Sequence, residues 1–146
     1  MAGTPTLTNV DLDQLSVLVG PIIVDGFAEG EALRIEFNDD QFVKYVGAGG
    51  QVSRAKTNDL SARITIRLMQ GSATNDDFSK LFLSDLSLPN GAGQVPFFVR
   101  DRGGRSLYTA SHIWCVKWPD VAHARDPGER EWMFDAARLI MLVGGN

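Results

Sequence analysis

Cysteine is almost missing from this sequence, which contains one, Cys115. A single cysteine cannot form an intramolecular disulfide or a cysteine-rich metal site. Disulfide-stapled secreted scaffolds and zinc-finger-like modules are therefore excluded, and the lone thiol fits a reducing cytosol.

Long apolar runs and an excess of positive charge are missing as well. The longest uninterrupted apolar run, Leu139 to Val143, is far shorter than the ~20 residues that a membrane helix needs. The first fifteen residues contain no Lys or Arg, so no signal peptide is expected. Fourteen Lys and Arg against 18 Asp and Glu give a net charge of −4. The short apolar runs argue against a membrane protein, and the negative balance argues against a protein whose main task is to grip phosphate backbones.

The chain does have the length and composition of one folded domain. It has 146 residues, of which 44% are apolar and 22% charged, close to the averages for globular domains. Residues 1–15 are mostly polar and include Gly3, Pro5 and Asn9. We therefore expect an N-terminal arm over residues 1–15 and a single domain over residues 16–146.

Alternating apolar and polar residues predict a mainly β protein. The clearest strand runs from Ser61 to Met69, and further strands are predicted over residues 16–24, 32–37, 42–46, 95–100 and 106–118. Asn38, Asp39 and Asp40 indicate a hairpin turn, with a loop from Gly47 to about Asp59. One helix is predicted to begin at Thr74, with Asp77 completing a capping box, and to end at Pro89.

The C-terminal segment is ambiguous. Trp132, Ala136 and Ile140 lie at helical spacing, yet Trp132, Phe134 and Ala136 also fit a strand. Periodicity alone favours a helix over residues 129–143.

The residue types that carry chemistry do not converge on a site. His112 and Cys115 would point to opposite faces of a strand, so they cannot share a metal ion with His123. No serine lies in a G-x-S-x-G context, and neither glycine-rich stretch has the strand–helix setting of a phosphate loop. A small-ligand site would need convergent polar groups, and none is found. The sequence thus predicts no enzyme, no metal and no cofactor.

Charge is distributed in two blocks. Residues 25–41 hold six acids and one base, whereas residues 42–70 hold five bases and one acid. The blocks either neutralise each other within one subunit or form complementary surfaces on neighbouring copies. The basic cluster of Arg54, Lys56, Arg63 and Arg67 lacks the interleaved aromatic residues that stack nucleic-acid bases.

Five stretches, in order, carry a family resemblance. They are Gly20 to Glu31 (GPIIVDGFAEGE), Gly47 to Gly50, Asp59 to Asn75, Phe97 to Asp101 followed by Gly103-Gly104, and the closing Gly144-Gly145. Together they span about residues 16–146 and resemble the tail tube protein family of contractile-tailed phages.

The resemblance implies a β-sandwich or partly rolled barrel with one flanking helix, and a strand rather than a helix at the C-terminus. It implies a structural virion protein whose copies join edge to edge into hexameric rings that stack as the tail tube, a conduit for DNA. Ring closure would also cover the exposed edges of its apolar strands. The N-terminal arm and the loop from Asp39 to Asn58 would then contact neighbouring subunits and rings. The residues expected to make these contacts are Asp39, Asp40, Arg54, Lys56 and Asn58.

The partners that the resemblance implies are further copies of the chain, a sheath, a tail initiator or baseplate, and a tail terminator. DNA would pass through the lumen without specific binding, which a negative net charge favours. Assembly is expected in the cytoplasm of the bacterial host. The alternative is a tube protein of a bacterial secretion or contractile injection system, which genomic neighbourhood would distinguish.

Overall fold

The computed structural model describes residues 15–89, 91 and 93–145. These residues form ten strands and one helix. In chain order they are β1 (Leu15–Val19), β2 (Ile22–Ile23), β3 (Leu33–Phe37), β4 (Phe42–Val46), β5 (Val52–Lys56), β6 (Ala62–Met69), α1 (Thr74–Ser87), β7 (Val95–Asp101), β8 (Leu107–Lys117), β9 (Glu129–Ala136) and β10 (Leu139–Leu142). Of the predicted arm, only Leu15 lies within the described residues, and it belongs to β1.

Eight strands form one antiparallel sheet in the order β2-β1-β7-β8-β9-β6-β3, with β10 beside β8. β9 and β10 follow one another along the same edge of β8, since Ala136 pairs with Ile113 and Leu139 with Ala110. β7 occupies the other edge of β8. Residues of β1, β6, β7 and β9 all contribute to one hydrophobic core. The predicted mainly β fold with one flanking helix is confirmed.

The helix favoured by periodicity at the C-terminus is wrong, because this segment forms β9 and β10. Every second residue of β9 is buried, beginning with Arg130 and ending with Ala136. Both edges of β9 are occupied, by β6 and by β8, so its backbone groups are satisfied without a helix. Trp132, Ala136 and Ile140 are spaced by four residues, which fits both the helical period and the strand period. The strand predicted from the family resemblance is correct.

The core is centred on β6, β9 and the inner face of α1. Four alternate residues of β6, Ala62 to Leu68, are fully buried. Phe78 of α1 packs edge-on against Trp132 and Phe134, with ring centroids 5.5 and 5.2 Å away. Burying one such aromatic side chain contributes about 1.5–3 kcal/mol. This packing fixes the helix on the sheet.

The predicted capping box at the start of α1 is wrong. Ala73 occupies the N-cap position, and no side chain caps the helix. The Thr74 hydroxyl instead accepts a hydrogen bond from the Asp25 amide and donates one to the Asp25 carbonyl, at 3.0 and 3.2 Å. The Ser72 hydroxyl donates to the same carbonyl at 2.6 Å. These bonds tie the loop after β2 to the helix, so Thr74 acts in a tertiary contact rather than a local one.

Among the described residues, no helix has both the length and the apolar character needed to cross a bilayer.

Candidate functional site

β4 and β5 form a separate two-stranded sheet outside the core. Their register runs from Phe42 opposite Lys56 to Val46 opposite Val52. The turn between them is closed by hydrogen bonds from the Gly47 amide to the Gln51 carbonyl and from the Gly50 amide to the Gly47 carbonyl. Gly50 has a φ of 82°, a conformation that favours glycine. We call residues 42–56 the projecting hairpin.

The hairpin turn predicted at Asn38 to Asp40 is therefore wrong, as is the loop predicted from Gly47 to Asp59. β3 pairs with β6, not with β4. The chain continues from β3 into β4, turns at Gly47 to Gly50, and returns through β5 into β6. Five residues of strand extend this ribbon by about 16 Å beyond its base.

A short neck joins the projecting hairpin to the main sheet. The Asn38 side-chain amide donates to the Ser61 hydroxyl at 2.8 Å, and the Thr57 amide donates to the Gln41 carbonyl at 2.7 Å. A hydrogen bond with the Asp59 carboxyl, together with repulsion from its charge, raises the pKa of Asp39. Hydrogen bonds from Ser61 lower the pKa of Asp59. Asp39 is thus the first of the two to take up a proton as pH falls.

The two faces of the projecting hairpin differ in charge. Cross-strand partners share a face, because side chains alternate along each strand. One face carries three cations interleaved with apolar residues: Phe42, Lys44, Val46, Val52, Arg54 and Lys56. The other face is uncharged: Val43, Tyr45, Ser53 and Ala55. The Arg54 guanidinium lies 4.2 Å from the centre of the Phe42 ring, a cation–π contact.

Every residue of both strands is exposed. Tyr45 is 60% exposed and Val52 64% exposed. Among the ion pairs of the described residues, none includes a cation of this hairpin. An isolated two-stranded hairpin is marginally stable in water, and this one is not buried by the other described residues.

The structure brings the predicted contact residues into one region. Asp39 and Asp40 lie on one side of the neck and Asn58 on the other, while Arg54 and Lys56 lie on β5. Sequence reasoning missed Phe42, Lys44 and Tyr45 on β4. Their signal was the aromatic and β-branched composition of residues 42–46, Phe-Val-Lys-Tyr-Val, directly before a run of glycines, which is typical of a hairpin.

The predicted basic cluster separates into two groups. Arg63 and Arg67 lie on β6 of the main sheet, where they form ion pairs with Asp135 and Glu129 of β9. Only Arg54 and Lys56 belong to the projecting hairpin. The expected lack of aromatic residues is wrong at one position, because Phe42 lies under Arg54.

His112 and Cys115 lie on opposite faces of β8. His112 is exposed, and its Nδ1 lies 3.1 Å from the Ser111 hydroxyl. Cys115 is buried, its thiol donates to the Lys117 carbonyl at 3.4 Å, and burial raises its pKa to about 11. In the part of the chain that the structure describes, no group of three His, Cys, Asp or Glu side chains is arranged to hold a metal ion.

The described residues form an antiparallel sheet with one packed helix and an exposed two-stranded hairpin. Comparison with known sequences identifies the family. The family described as "Bacteriophage PhiTE tail tube protein" matches residues 7–144. The chain belongs to this family of phage tail tube proteins, and its role is structural. Residues 7–144 include both the hairpin and its neck.

A curated relative agrees with this assignment. The chain is 28% identical over 121 residues to "Structural protein ORF10" of Pseudomonas phage KPP10, covering 83% of this chain and 70% of the relative.

Solved structures share the fold at low sequence identity. A virion of a native gene transfer agent particle contains a chain that matches with a TM-score of 0.61, at 15% identity, over 92% of this chain and 100% of that one. The sheath–tube complex of an extracellular contractile injection system, PVC, matches with a TM-score of 0.59, at 16% identity, over 92% of this chain and 91% of that one. At these identities the likeness concerns the fold alone.

Proposed function

We propose that copies of this chain assemble into stacked hexameric rings that form the tail tube of a phage, with the projecting hairpin as a principal contact between subunits. The observation that carries this proposal is the hairpin itself, which exposes apolar side chains together with cations that form no ion pair with other described residues. A monomer gains little from such a segment, because two strands alone bury too little surface to be stable. Packing against a neighbouring subunit would remove that surface from water.

Charge complementarity indicates what the hairpin meets. Residues 25–41 of the same chain carry six acids and one base, and the one base, Arg34, already pairs with Glu31 and Glu36. The remaining acids of this block are Asp25 and Glu29 in the loop before β3, and Asp39 and Asp40 in the neck. The cationic face with Lys44, Arg54 and Lys56 would dock on acids of this block in an adjacent copy. Such contacts fix register and accelerate association.

The lumen of the tube would conduct DNA without binding it tightly. The subunit has a net charge of −4, so the assembled tube repels phosphate on balance, whereas a cationic lumen would release counterions and hold the polymer. Family membership supports a place in the virion. We place assembly in the host cytoplasm, with a sheath, a tail initiator or baseplate and a tail terminator as further partners, and we assign the chain no catalytic activity.

Charge reversal on either side of the contact tests this function. One variant carries Asp39→Lys and Asp40→Lys, and the other carries Arg54→Glu and Lys56→Glu. Each should remain folded, because exposed charges contribute little to subunit stability. Each should also lose tubes in negative-stain microscopy and large species in light scattering. Mixing the two variants should restore part of the assembly, and high salt should weaken assembly of the parent protein.

A matched control changes charge equally, away from the hairpin. Arg125→Glu with Arg138→Glu alters two exposed cations of the β8–β9 loop and of the β9–β10 connection. This variant should still form tubes. Normal, salt-insensitive tubes from both hairpin variants would contradict the proposed contact. A parent protein that stays monomeric at millimolar concentration in the presence of a tail initiator would contradict the tube function.

A further inference from the structure

Arg130 is a largely buried cation that forms no ion pair with the residues the structure describes. It lies on the inner face of β9 and is only 9% exposed. Its one hydrogen bond among the described residues runs from Nη1 to the Glu129 carbonyl at 3.0 Å. A guanidinium has five N–H donors. No fully buried side-chain nitrogen of the described residues lacks a partner, so the donors of Arg130 that make no hydrogen bond keep access to solvent. Arg130 therefore has donors available for an anion that the described residues of its own subunit do not supply.

Arg130 lines a cavity of about 330 Å³ beside the start of α1. Apolar side chains form much of the wall, and the rim includes Val121, which is 63% exposed. Two of the hydrogen bonds beside the cavity join polar groups of its lining to other groups: Trp132 Nε1 donates to the Asn75 side chain at 2.9 Å, and the Gln70 side chain accepts from the Gly128 amide. The full lining is Gln70, Asn75, Ser79, Trp118, Pro119, Val121, Arg130 and Trp132. Its chemistry suits a carboxylate carried on an apolar segment, because a guanidinium pairs with a carboxylate through two parallel hydrogen bonds.

The chain contains one segment with that chemistry outside the described residues. Val10, Asp11, Leu12 and Asp13 alternate apolar and acidic side chains. No Lys or Arg precedes Arg34, so neither carboxylate has a cation nearby in sequence.

The fold places Leu15, the first described residue, and the cavity at opposite ends of β8. Leu15 pairs with Asp101, next to the end of β8 that begins at Leu107. The cavity residue Trp118 follows the other end of β8, which is 11 residues long. At about 3.3 Å per residue the two ends lie about 33 Å apart. A segment that precedes Leu15 of one copy would reach the cavity of a second copy stacked head to tail on it, the arrangement that builds open filaments.

We propose that the Arg130 cavity receives the carboxylate of Asp11 or Asp13 from a second copy of this chain, with Val10 and Leu12 against the apolar wall. The inference rests on the proposed stacking of rings and names one of the contacts that would hold successive rings together.

Intermolecular disulfide formation between two single variants tests the inference. One chain carries Leu12→Cys and the other Val121→Cys, and both are assembled together and exposed to a mild oxidant. A disulfide in this mixture can only join two copies. The expected result is a cross-linked dimer in assembled tubes, at least tenfold more abundant than with Leu83→Cys, a matched exposed position on the outer face of α1. Cys115 is buried and remains as background in every sample.

Two further variants test the ion pair itself. Asp11→Asn with Asp13→Asn leaves the folded core untouched and should reduce cross-linking at least tenfold. Arg130→Gln should do the same, with its fold checked by circular dichroism. Tubes that form without the Leu12–Val121 cross-link would contradict this inference and leave the tube function standing. A cross-link only within one copy, in the double cysteine variant, would contradict it as well. A chain that forms no tubes would contradict the proposed function, and this inference with it.

Discussion

The paired strands β6 and β9 and the projecting hairpin are both antiparallel ribbons, yet they differ in how much of their side-chain surface the subunit buries. On the inner face of β6 and β9, alternate residues are buried, and on the outer face Arg63 pairs with Asp135. In the hairpin, all ten strand residues are exposed, and the described ion pairs include none of its cations.

This difference separates stability from assembly within one small chain. β6 and β9 make their contacts within the subunit, on both faces and along both edges. The hairpin keeps apolar and cationic groups that a neighbour can cover. Changes in the core should therefore alter the free energy of unfolding, whereas changes in the hairpin should alter association.

Replacing Phe78 should have the largest effect on stability. Its ring is 1% exposed and contacts both Trp132 and Phe134. Phe78→Ala should reduce the free energy of unfolding by about 3–5 kcal/mol, through lost burial and the cavity left behind. Urea denaturation followed by tryptophan fluorescence measures this loss. The hairpin variant Tyr45→Ala should stay within about 0.5 kcal/mol of the parent protein and should lose tube formation instead. Equal losses of unfolding free energy in the two variants would show that the hairpin stabilises the subunit as much as the core does, and would contradict this distinction.

Two glycines with positive φ test the same difference between the core of the subunit and the projecting hairpin. Gly26 has a φ of 73°, and a Cβ there would lie 2.6 Å from Ser72, whereas Gly50 has a φ of 82° and open space around it. Gly26→Ala adds backbone strain and displaces the Ser72 hydroxyl from the Asp25 carbonyl, so we expect a loss of about 2–3 kcal/mol. Gly50→Ala strains only the hairpin turn, which opens locally, and should change global unfolding by less than about 1 kcal/mol. Thermal unfolding of both variants measures the difference, and a larger loss at Gly50 would contradict it.

Cys115 should produce a smaller, pH-dependent effect. Burial raises the thiol pKa from 9.0 to about 11, so the folded protein holds this proton more tightly than the unfolded chain. The resulting stabilisation is complete below about pH 9 and is lost as pH rises through the folded pKa of about 11. Cys115→Ser should cost about 1–2 kcal/mol near neutral pH and should flatten this part of the pH profile. If the free energy of unfolding of the variant fell with the same slope between pH 9 and 11, groups other than Cys115 would be the cause of that pH dependence.

Sequence patterns located the strands whose burial alternates strictly. β6 was found because its period-two pattern is complete, and α1 because Phe78, Leu81 and Phe82 lie at helical spacing. The pairing of strands was harder, because pairing depends on residues distant in sequence. Asn38 to Asp40 have turn-forming side chains, but β3 pairs with β6, some 25 residues away, and the real turn lies at Gly47 to Gly50.

The candidate contact surface was only partly predictable from the sequence. Charge identified Arg54 and Lys56, since a basic block next to an acidic one can be read directly from the sequence. Phe42 and Tyr45 were missed because exposed apolar side chains on a strand have the same pattern as buried ones. The Arg130 cavity gave no signal, because a charged residue at the start of an apolar strand is normally solvent-facing.

Hydrogen exchange followed by mass spectrometry tests most directly whether the projecting hairpin is a subunit contact. Amides of residues 42–56 are compared in dilute, unassembled protein and in assembled tubes, with amides of β6 as the internal reference. The hairpin should exchange rapidly in the free subunit, because two exposed strands open easily, and should become strongly protected in tubes, while β6 stays protected in both. Tubes whose hairpin amides exchange as fast as those of the free subunit would contradict the account.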